Sequence, residues 1–331
     1  MIGVGHEDTV DAIQDLGFQW LKQQIEWKKF EVAEGQYDWA EIDRLVETCN
    51  ENGIYLLLSV VKAPDWARGP NPDTSVEGPP ANPQDFADFV GAMATRHRGR
   101  IHAYEIWNEQ NLHYEWGNEQ LDAARYVRLL AAAYSAIKAA DPQALVISGA
   151  LTPTGGDGGV RAVEDATYLR QMYQAGFQNY CDAVGAHPSG YNIPPGVEWQ
   201  TYQDPSAGFR GLWDTPHYSW SFRGVLETYR QIMVENGDAG RLIWVTEFGW
   251  AVESEPPAGR EYAADNTLSE QRDWTVRAFQ MGKSWGWVGP MFLWNLNFRQ
   301  IVPWSEQGMW SILAYDGSPL PVYIALRDMP K

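Results

Sequence analysis

Two glutamates are placed by their neighbours where they could do chemistry together. Tyr104-Glu105-Ile106-Trp107-Asn108-Glu109 follows the basic turn Arg96–Arg100 and precedes a strongly helical run. Its alternation of apolar and polar residues reads as a buried strand ending on a carboxylate. Leu242-Ile243-Trp244-Val245-Thr246-Glu247 ends the same way and runs on into Phe248-Gly249-Trp250. Acids at the carboxyl ends of parallel strands lie where an α/β barrel displays its reactive groups. Two of them suggest an acid/base and a nucleophile acting on one bond. The bland alternative is that each Glu caps a loop or makes a salt bridge. That fits either residue alone better than it fits the pair, because acids are seldom buried unpaired.

Positioning these groups needs a regular frame, and strand and helix signals alternate eight times. The expected strands are Met1–Gly5, Gln19–Trp27, Ile54–Val61, the Glu109 strand, Ala144–Ser148, Asp182–His187, the Glu247 strand and Gly289–Trp294. Helices are expected at Asp8–Leu16, from an Asp38 N-cap to near Gly53, and at Asp85–Arg96, Leu121–Ala140 and Glu164–Ala175. Three more follow near Phe222–Glu235, Ser269–Trp285 and Val322–Arg327. Ile54–Val61 is almost continuously apolar, as a strand covered on both faces should be. Eight β/α units over residues 1–331 predict a single-domain α/β fold, the (β/α)8 or TIM barrel. A doubly wound sheet is the alternative, but no Gly-rich phosphate turn follows the first strand.

Trp107-Asn108-Glu109 and Thr246-Glu247-Phe248-Gly249-Trp250 resemble the strand-four and strand-seven signatures of clan A retaining glycoside hydrolases. Phe18–Gly35 and the following Gln36-Tyr37-Asp38-Trp39 resemble the second β/α unit of the β-galactosidase and β-xylosidase branches. The likeness extends over all eight units and is nearest to the β-xylosidase/α-iduronidase family and related bacterial exopolysaccharide glycosidases. It implies a retaining hydrolase of a β-linked oligo- or polysaccharide working by double displacement without a cofactor. Glu109 would be the acid/base and Glu247 the nucleophile, at the roughly 5–5.5 Å spacing that retention needs. Glu109 should then have a raised pKa, from an apolar wall or the nearby Glu247, and Glu247 should stay ionised among donors.

The same likeness gives Asn108 a contact with the 2-hydroxyl of the reacting sugar and makes Trp294 the floor of its subsite. The plainer readings are a loop-capping Asn and a packed core Trp. His187 ends the sixth expected strand, where the clan often has a His, and a structural histidine is an equal alternative. Two departures stand out. Lys22 replaces the usual Arg on the second strand, a point charge in place of a planar fork. In His187-Pro188-Ser189-Gly190-Tyr191 the Tyr that should support the nucleophile is displaced, which leaves the role of Tyr191 in doubt. Glu105, two pleats below Glu109, is read as a structural acid that could pair with Lys22. Trp66, Trp213 and Trp304, in long loops at Ala63–Pro83, Ser189–Trp220 and Asn297–Pro319, are candidates for stacking on sugar rings.

Composition narrows the partners. With 25 Lys and Arg against 43 Asp and Glu, the net charge is −18, which repels nucleic acid and anionic membranes and favours neutral substrates over polyanions. The 17 Trp and 16 Tyr are many for a core alone and hint in the same direction. Cys49 and Cys181 are two expected core residues, so neither a disulfide framework nor a Cys-based metal site is expected. No His-x-His or His-Glu-x-x-His spacing indicates a metal. No window is long enough to span a membrane. The oligomeric state is not legible, and an extracellular location is expected if a leader precedes Met1, a cytoplasmic one otherwise. Two rivals stay open: a barrel that binds glycan without cutting it, and a Schiff-base lyase or aldolase using Lys62 at the end of the third strand.

Overall fold

The computed structural model describes residues 5–303 and 305–331. The expected first strand, apart from Gly5, and the expected stacking residue Trp304 therefore lie outside the described residues. The other seven strands form one parallel sheet whose neighbours follow chain order. They are β1 (Trp20–Glu26), β2 (Tyr55–Val61), β3 (Ala103–Ile106), β4 (Leu145–Ser148), β5 (Ala183–Ala186), β6 (Leu242–Phe248) and β7 (Val288–Leu293).

One helix of eight residues or more follows each strand, and His6–Asp15 precedes β1. The starts of these helices are written locally. Asn82 and Asp122 cap theirs by accepting from Gln84 N and Ala124 N. Thr267 and Glu270 form a reciprocal capping box at Leu268–Ser284. A parallel pair cannot close through a tight turn, so each strand needs such a crossover, and the helices cover the outer face of the sheet. Leu56, Leu58, Val60, Tyr104, Ile106, Val146, Val184 and Val245 point outward into that layer. There they join a buried core with Phe86, Phe89, Tyr126, Leu130, Leu169 and Tyr229 from the helices.

The alternate positions point inward. Leu57, Ala103, Ile147, Ala183, Trp244 and Phe292 form a separate buried cluster with Trp20 packed on it, one residue from each strand. The Trp20 ring lies 5.2 Å from that of Trp244 and 6.1 Å from that of Phe292. The sheet is therefore curled, with side chains of its first and last strands meeting across the interior. This apolar plug is the floor on which the polar residues one pleat higher stand.

The expected Glu109 strand is shorter than its pattern suggests. Regular pairing stops at Ile106, and Trp107 (φ +71°) and Glu109 (φ +48°) both adopt left-handed backbone. The first of these turns Trp107 out of the alternation into the outer core against Phe86 and Trp116. No described helix is long and apolar enough to cross a membrane.

Candidate active site

The strand ends that carry the site are tied to each other by buried hydrogen bonds. Tyr126 OH donates to Ile106 O at 3.0 Å and accepts from Gly149 N at 2.6 Å, which locks β3 to the end of β4. Gln110 Nε2 donates to Gly149 O at 2.7 Å, and Glu109 N donates to Ala150 O at 2.8 Å. Position 149 must be glycine for this approach, since a Cβ there would stand 2.5 Å from Ile106 O. Trp107 Nε1 donates to Glu115 O at 3.0 Å and fixes the loop beyond. Strained backbone held by this many partners is a common feature of functional sites.

Glu247 reaches the interior by a different device. Alternation along β6 would send Thr246 and Glu247 to opposite faces, because Trp244 and Thr246 share the inward one. Between the pairs Val245–Met291 and Phe248–Leu293, however, β6 spends one residue more than β7. This bulge re-aims the strand end. Thr246 Oγ1 donates to Glu105 Oε1 at 2.7 Å, while Glu247 Oε1 accepts from Lys22 Nζ at 2.9 Å.

Lys22 is the charge centre of the layer below. Its ammonium also lies 3.1 Å from Glu105 Oε2, and Glu105 is fully buried. Burial works against the Lys22 charge, but Glu105 and Glu247 outweigh it and raise its pKa above the ordinary lysine value. Burial likewise pushes Glu105 up, and Lys22, His187 and Thr246 together bring it below the usual carboxylate range. The expected pairing of Lys22 with Glu105 is present, and Lys22 serves Glu247 as well.

His187 stands between the two strand-end acids. Its Nδ1 lies 3.1 Å from Glu109 Oε1 and its Nε2 3.8 Å from Glu247 Oε1. Burial lowers the imidazole pKa, but Glu247 first and Glu109 next raise it to a net value above ordinary. Glu109 answers in the other direction. Burial pushes its carboxyl up, yet the hydrogen bond and charge of His187, with smaller help from Thr152 and Lys22, hold it below the usual glutamate value. The expectation of a raised Glu109 is thus corrected, because the hydrogen bond and charge of His187, with Thr152 and Lys22, together outweigh the effect of burial. Glu109 and His187 titrate as a coupled pair, the carboxyl pulled down and the imidazole pushed up.

The remaining expected residues divide by surroundings. Asn108 is buried, and its Oδ1 has no protein hydrogen-bond partner. Trp294 is half-buried, edge-on to Phe298 at 5.0 Å, and lines the mouth of a cavity with Lys22, Glu247 and Asn295. Tyr191, at φ +48°, packs against Trp220 and Tyr262, and its hydroxyl makes no hydrogen bond to Glu247. Trp66 donates its indole N–H to Glu31 O and packs edge-on to Trp27 within the outer core. Trp213 donates to Tyr202 O and lies under the Arg210 guanidinium, 4.7 Å from its ring centre. Lys62, the rival Schiff-base residue, is paired with Glu26 at 3.3 Å.

Two neighbours escaped the sequence reading. Thr152 follows β4 and lies beside Glu109. Glu115 is a half-buried acid whose pKa is raised to about 8, by burial first and then by Glu109. No sequence signal marks Glu115, because only the fold of the Glu109 loop brings it near the other acids. Among the described residues, no group of three His, Cys, Asp or Glu side chains is arranged to hold a metal ion.

A family model described as cellulase (glycosyl hydrolase family 5) matches residues 3–206, well over half of the chain. The chain belongs to glycosyl hydrolase family 5. The matched stretch contains Asn108 and Glu109 and ends before Glu247. No curated protein sequence matches this family 5 chain. Among solved structures it is similar to a family 39 glycoside hydrolase from the gut symbiont Bacteroides cellulosilyticus WH2. That match has 21% identity and a TM-score of 0.73, over 98% of this chain and 60% of the other. A monomeric β-xylosidase from Caulobacter crescentus CB15 aligns at 18% identity and TM-score 0.63, over 97% and 63% of the two chains. Xylanase 10B from Thermotoga petrophila RKU-1, solved with xylobiose, aligns at 13% and 0.62, over 98% and 89%. At these identities the likeness is one of fold, that of clan A glycoside hydrolases. The family 5 chain spans less than two thirds of the length of the first and second of these enzymes.

Proposed function

We propose that this chain is a retaining O-glycoside hydrolase that cleaves a β-linked oligo- or polysaccharide by double displacement. The observation that carries the reading is the His187 imidazole between Glu109 and Glu247, with Lys22 donating to Glu247 from below. In the first step Glu247 attacks the anomeric carbon while Glu109 protonates the leaving oxygen. In the second, Glu109 takes a proton from water, which attacks the same carbon and releases Glu247. The proton on the Glu109–His187 pair is the one delivered to the leaving group. Lys22 keeps Glu247 aimed, and burial strengthens their attraction. Asn108, with an unpartnered buried oxygen, and Trp294, which lines the same cavity as Glu247, are suited to hold the reacting sugar. Tyr191, Trp66 and Trp213 belong to the surrounding loops in this reading.

The same proposal takes residues 1–331 as one catalytic domain and the curled sheet as a closed eight-stranded barrel. Contact between the interior rings of β1 and β7 supports that closure. No cofactor enters either step. Reducing-sugar release from a panel of plant and bacterial polysaccharides and aryl glycosides, compared between wild type and Glu247→Ala, tests the reading. Release by wild type alone is expected. A variant working at the wild-type rate would refute the nucleophile assignment, and silence from a folded wild type across the panel would favour a barrel that only binds.

A further inference from the structure

Glu105 takes no direct part in the proposed reaction, yet its carboxylate joins the ends of four strands. It belongs to β3 and is fully buried. Its Oε1 accepts from Thr246 Oγ1 on β6 at 2.7 Å and, at 3.4 Å, from the backbone N of Ala150 just beyond β4. Its Oε2 lies 3.1 Å from Lys22 Nζ on β1. A carboxylate in the interior needs donors, and for stability alone any donors would serve. Here each donor belongs to a residue that also fixes a strand-end acid. Lys22 donates to Glu247 Oε1 at 2.9 Å. Thr246 precedes Glu247 within the β6 bulge. Ala150 O accepts from Glu109 N at 2.8 Å.

Glu247 is thereby held from two directions, and both lead back to one carboxylate. From below, the Lys22 ammonium is shared between Glu105 and Glu247, which fixes its height. Along its own strand the restraint is the Thr246 hydroxyl. Regular pairing of β6 with β5 ends at Val245, and the next residue paired with β7 after Val245 is Phe248. Thr246 and Glu247 fall between these points, where a side-chain anchor takes over from the ladder. Thr246 is itself buried, so its hydroxyl has little water to turn to.

We propose that Glu105 is a positioning residue for the nucleophile, holding the Lys22 ammonium with one oxygen and the Thr246 end of the β6 bulge with the other. The inference rests on the assignment of Glu247 as nucleophile, and it gives Glu105 a duty beyond that of a buried counter-ion. With no exposed surface, Glu105 acts on a substrate only through these neighbours. Attack on an anomeric carbon tolerates little displacement of the attacking oxygen, and a misplacement of about 1 Å costs on the order of 10²-fold in rate.

The test measures kcat/KM on an activated aryl glycoside of the sugar that wild type releases, and the inhibition constant of that free sugar. Glu105→Gln keeps the volume and an oxygen for Thr246 but ends the attraction to Lys22. It should lower kcat/KM about 10²-fold and leave the inhibition constant unchanged. Thr246→Val removes the hydroxyl at nearly constant volume and should lower kcat/KM about tenfold, the equivalent of one hydrogen bond. Thr246→Ser, which restores the hydroxyl, should recover most of the rate. Full activity in Glu105→Gln, a Ser variant no better than Val, or a loss of sugar affinity equal to the loss of rate overturns the proposal. A folded wild type inactive on every aryl glycoside, or Glu247→Ala working at the wild-type rate, would instead defeat the nucleophile assignment beneath it. If Glu105→Gln does not fold, the two Thr246 variants make the same comparison without touching a charge.

Discussion

Lys22 Nζ stands 2.9 Å from Glu247 Oε1, and the same ammonium holds the buried Glu105 at 3.1 Å. One cation thus pairs with a buried acid below and, in the proposed mechanism, aims the nucleophile above, and the two duties can be separated. Lys22→Met leaves Glu105 buried without its partner and should lower stability by roughly 3–5 kcal/mol, the usual effect of breaking a buried pair. The double variant Lys22→Met/Glu105→Leu removes the orphaned charge and should regain most of that stability in urea unfolding. It should still lack most of the activity, because Glu247 has lost its donor. A double variant that is both stable and fully active would show that Lys22 is only a structural counter-ion.

The proton shared by Glu109 and His187 should set the alkaline limb of kcat/KM. Beside Glu109, the His187 imidazole has a pKa raised above the ordinary histidine value, so the pair should carry its proton there. His187→Asn moves it to a carboxyl, and the limb should shift to lower pH. An unmoved limb would mean that the proton does not reside on His187.

In the proposed mechanism Glu109→Ala removes the acid but not the nucleophile. Its effect should therefore depend on the leaving group, roughly 10²–10⁴-fold on a sugar leaving group and much less on an activated aryl one. Equal losses on both would argue against general acid catalysis by Glu109. With Glu247→Ala the loss should be nearly complete on every substrate, and added azide should restore turnover of an activated aryl glycoside by replacing the missing nucleophile.

Asp165 gives stability a pH dependence of known sign. Burial raises its folded pKa to about 6, against the lowering effects of Thr154 and Tyr218. A raised acid contributes stability that is fully present below its unfolded pKa and lost as pH rises through the folded one. Between about pH 4 and 6 the wild type should therefore lose stability relative to Asp165→Asn, by on the order of 2 kcal/mol. Urea unfolding of both proteins at pH 4 and pH 7 measures the difference, and parallel pH curves would contradict it.

Much of the frame was legible from one-dimensional patterns. The Ile54–Val61 run depends on neighbours a few residues away, and seven of the eight expected strands fall within a few residues of their predicted places. The regular part of β3 is the instructive exception. The pattern through Glu109 suggests unbroken pairing, but pairing ends at Ile106 because Trp107 finds a better site in the outer core than in the narrow interior.

The aromatic loop residues divide for the same reason. Trp66 packs edge-on to Trp27 in the outer core, and the Arg210 guanidinium lies over the Trp213 ring. Trp220, another loop tryptophan, lines a cavity instead. Which face of a loop tryptophan is free depends on chain segments distant in sequence.

The sequence by itself determined the βα rhythm and the strand-end positions of Glu109 and Glu247, because alternation and strand ends are local properties. Tertiary structure decided how those acids are presented. The bulge that turns Glu247 inward exists only in the register of β6 against β7. The left-handed turn of Glu109 is held by contacts to β4 and its loop. The imidazole that lowers Glu109 comes from a different strand end. Register, strain and the charge around a carboxyl are relations between distant segments, so they come into being only when the chain has folded.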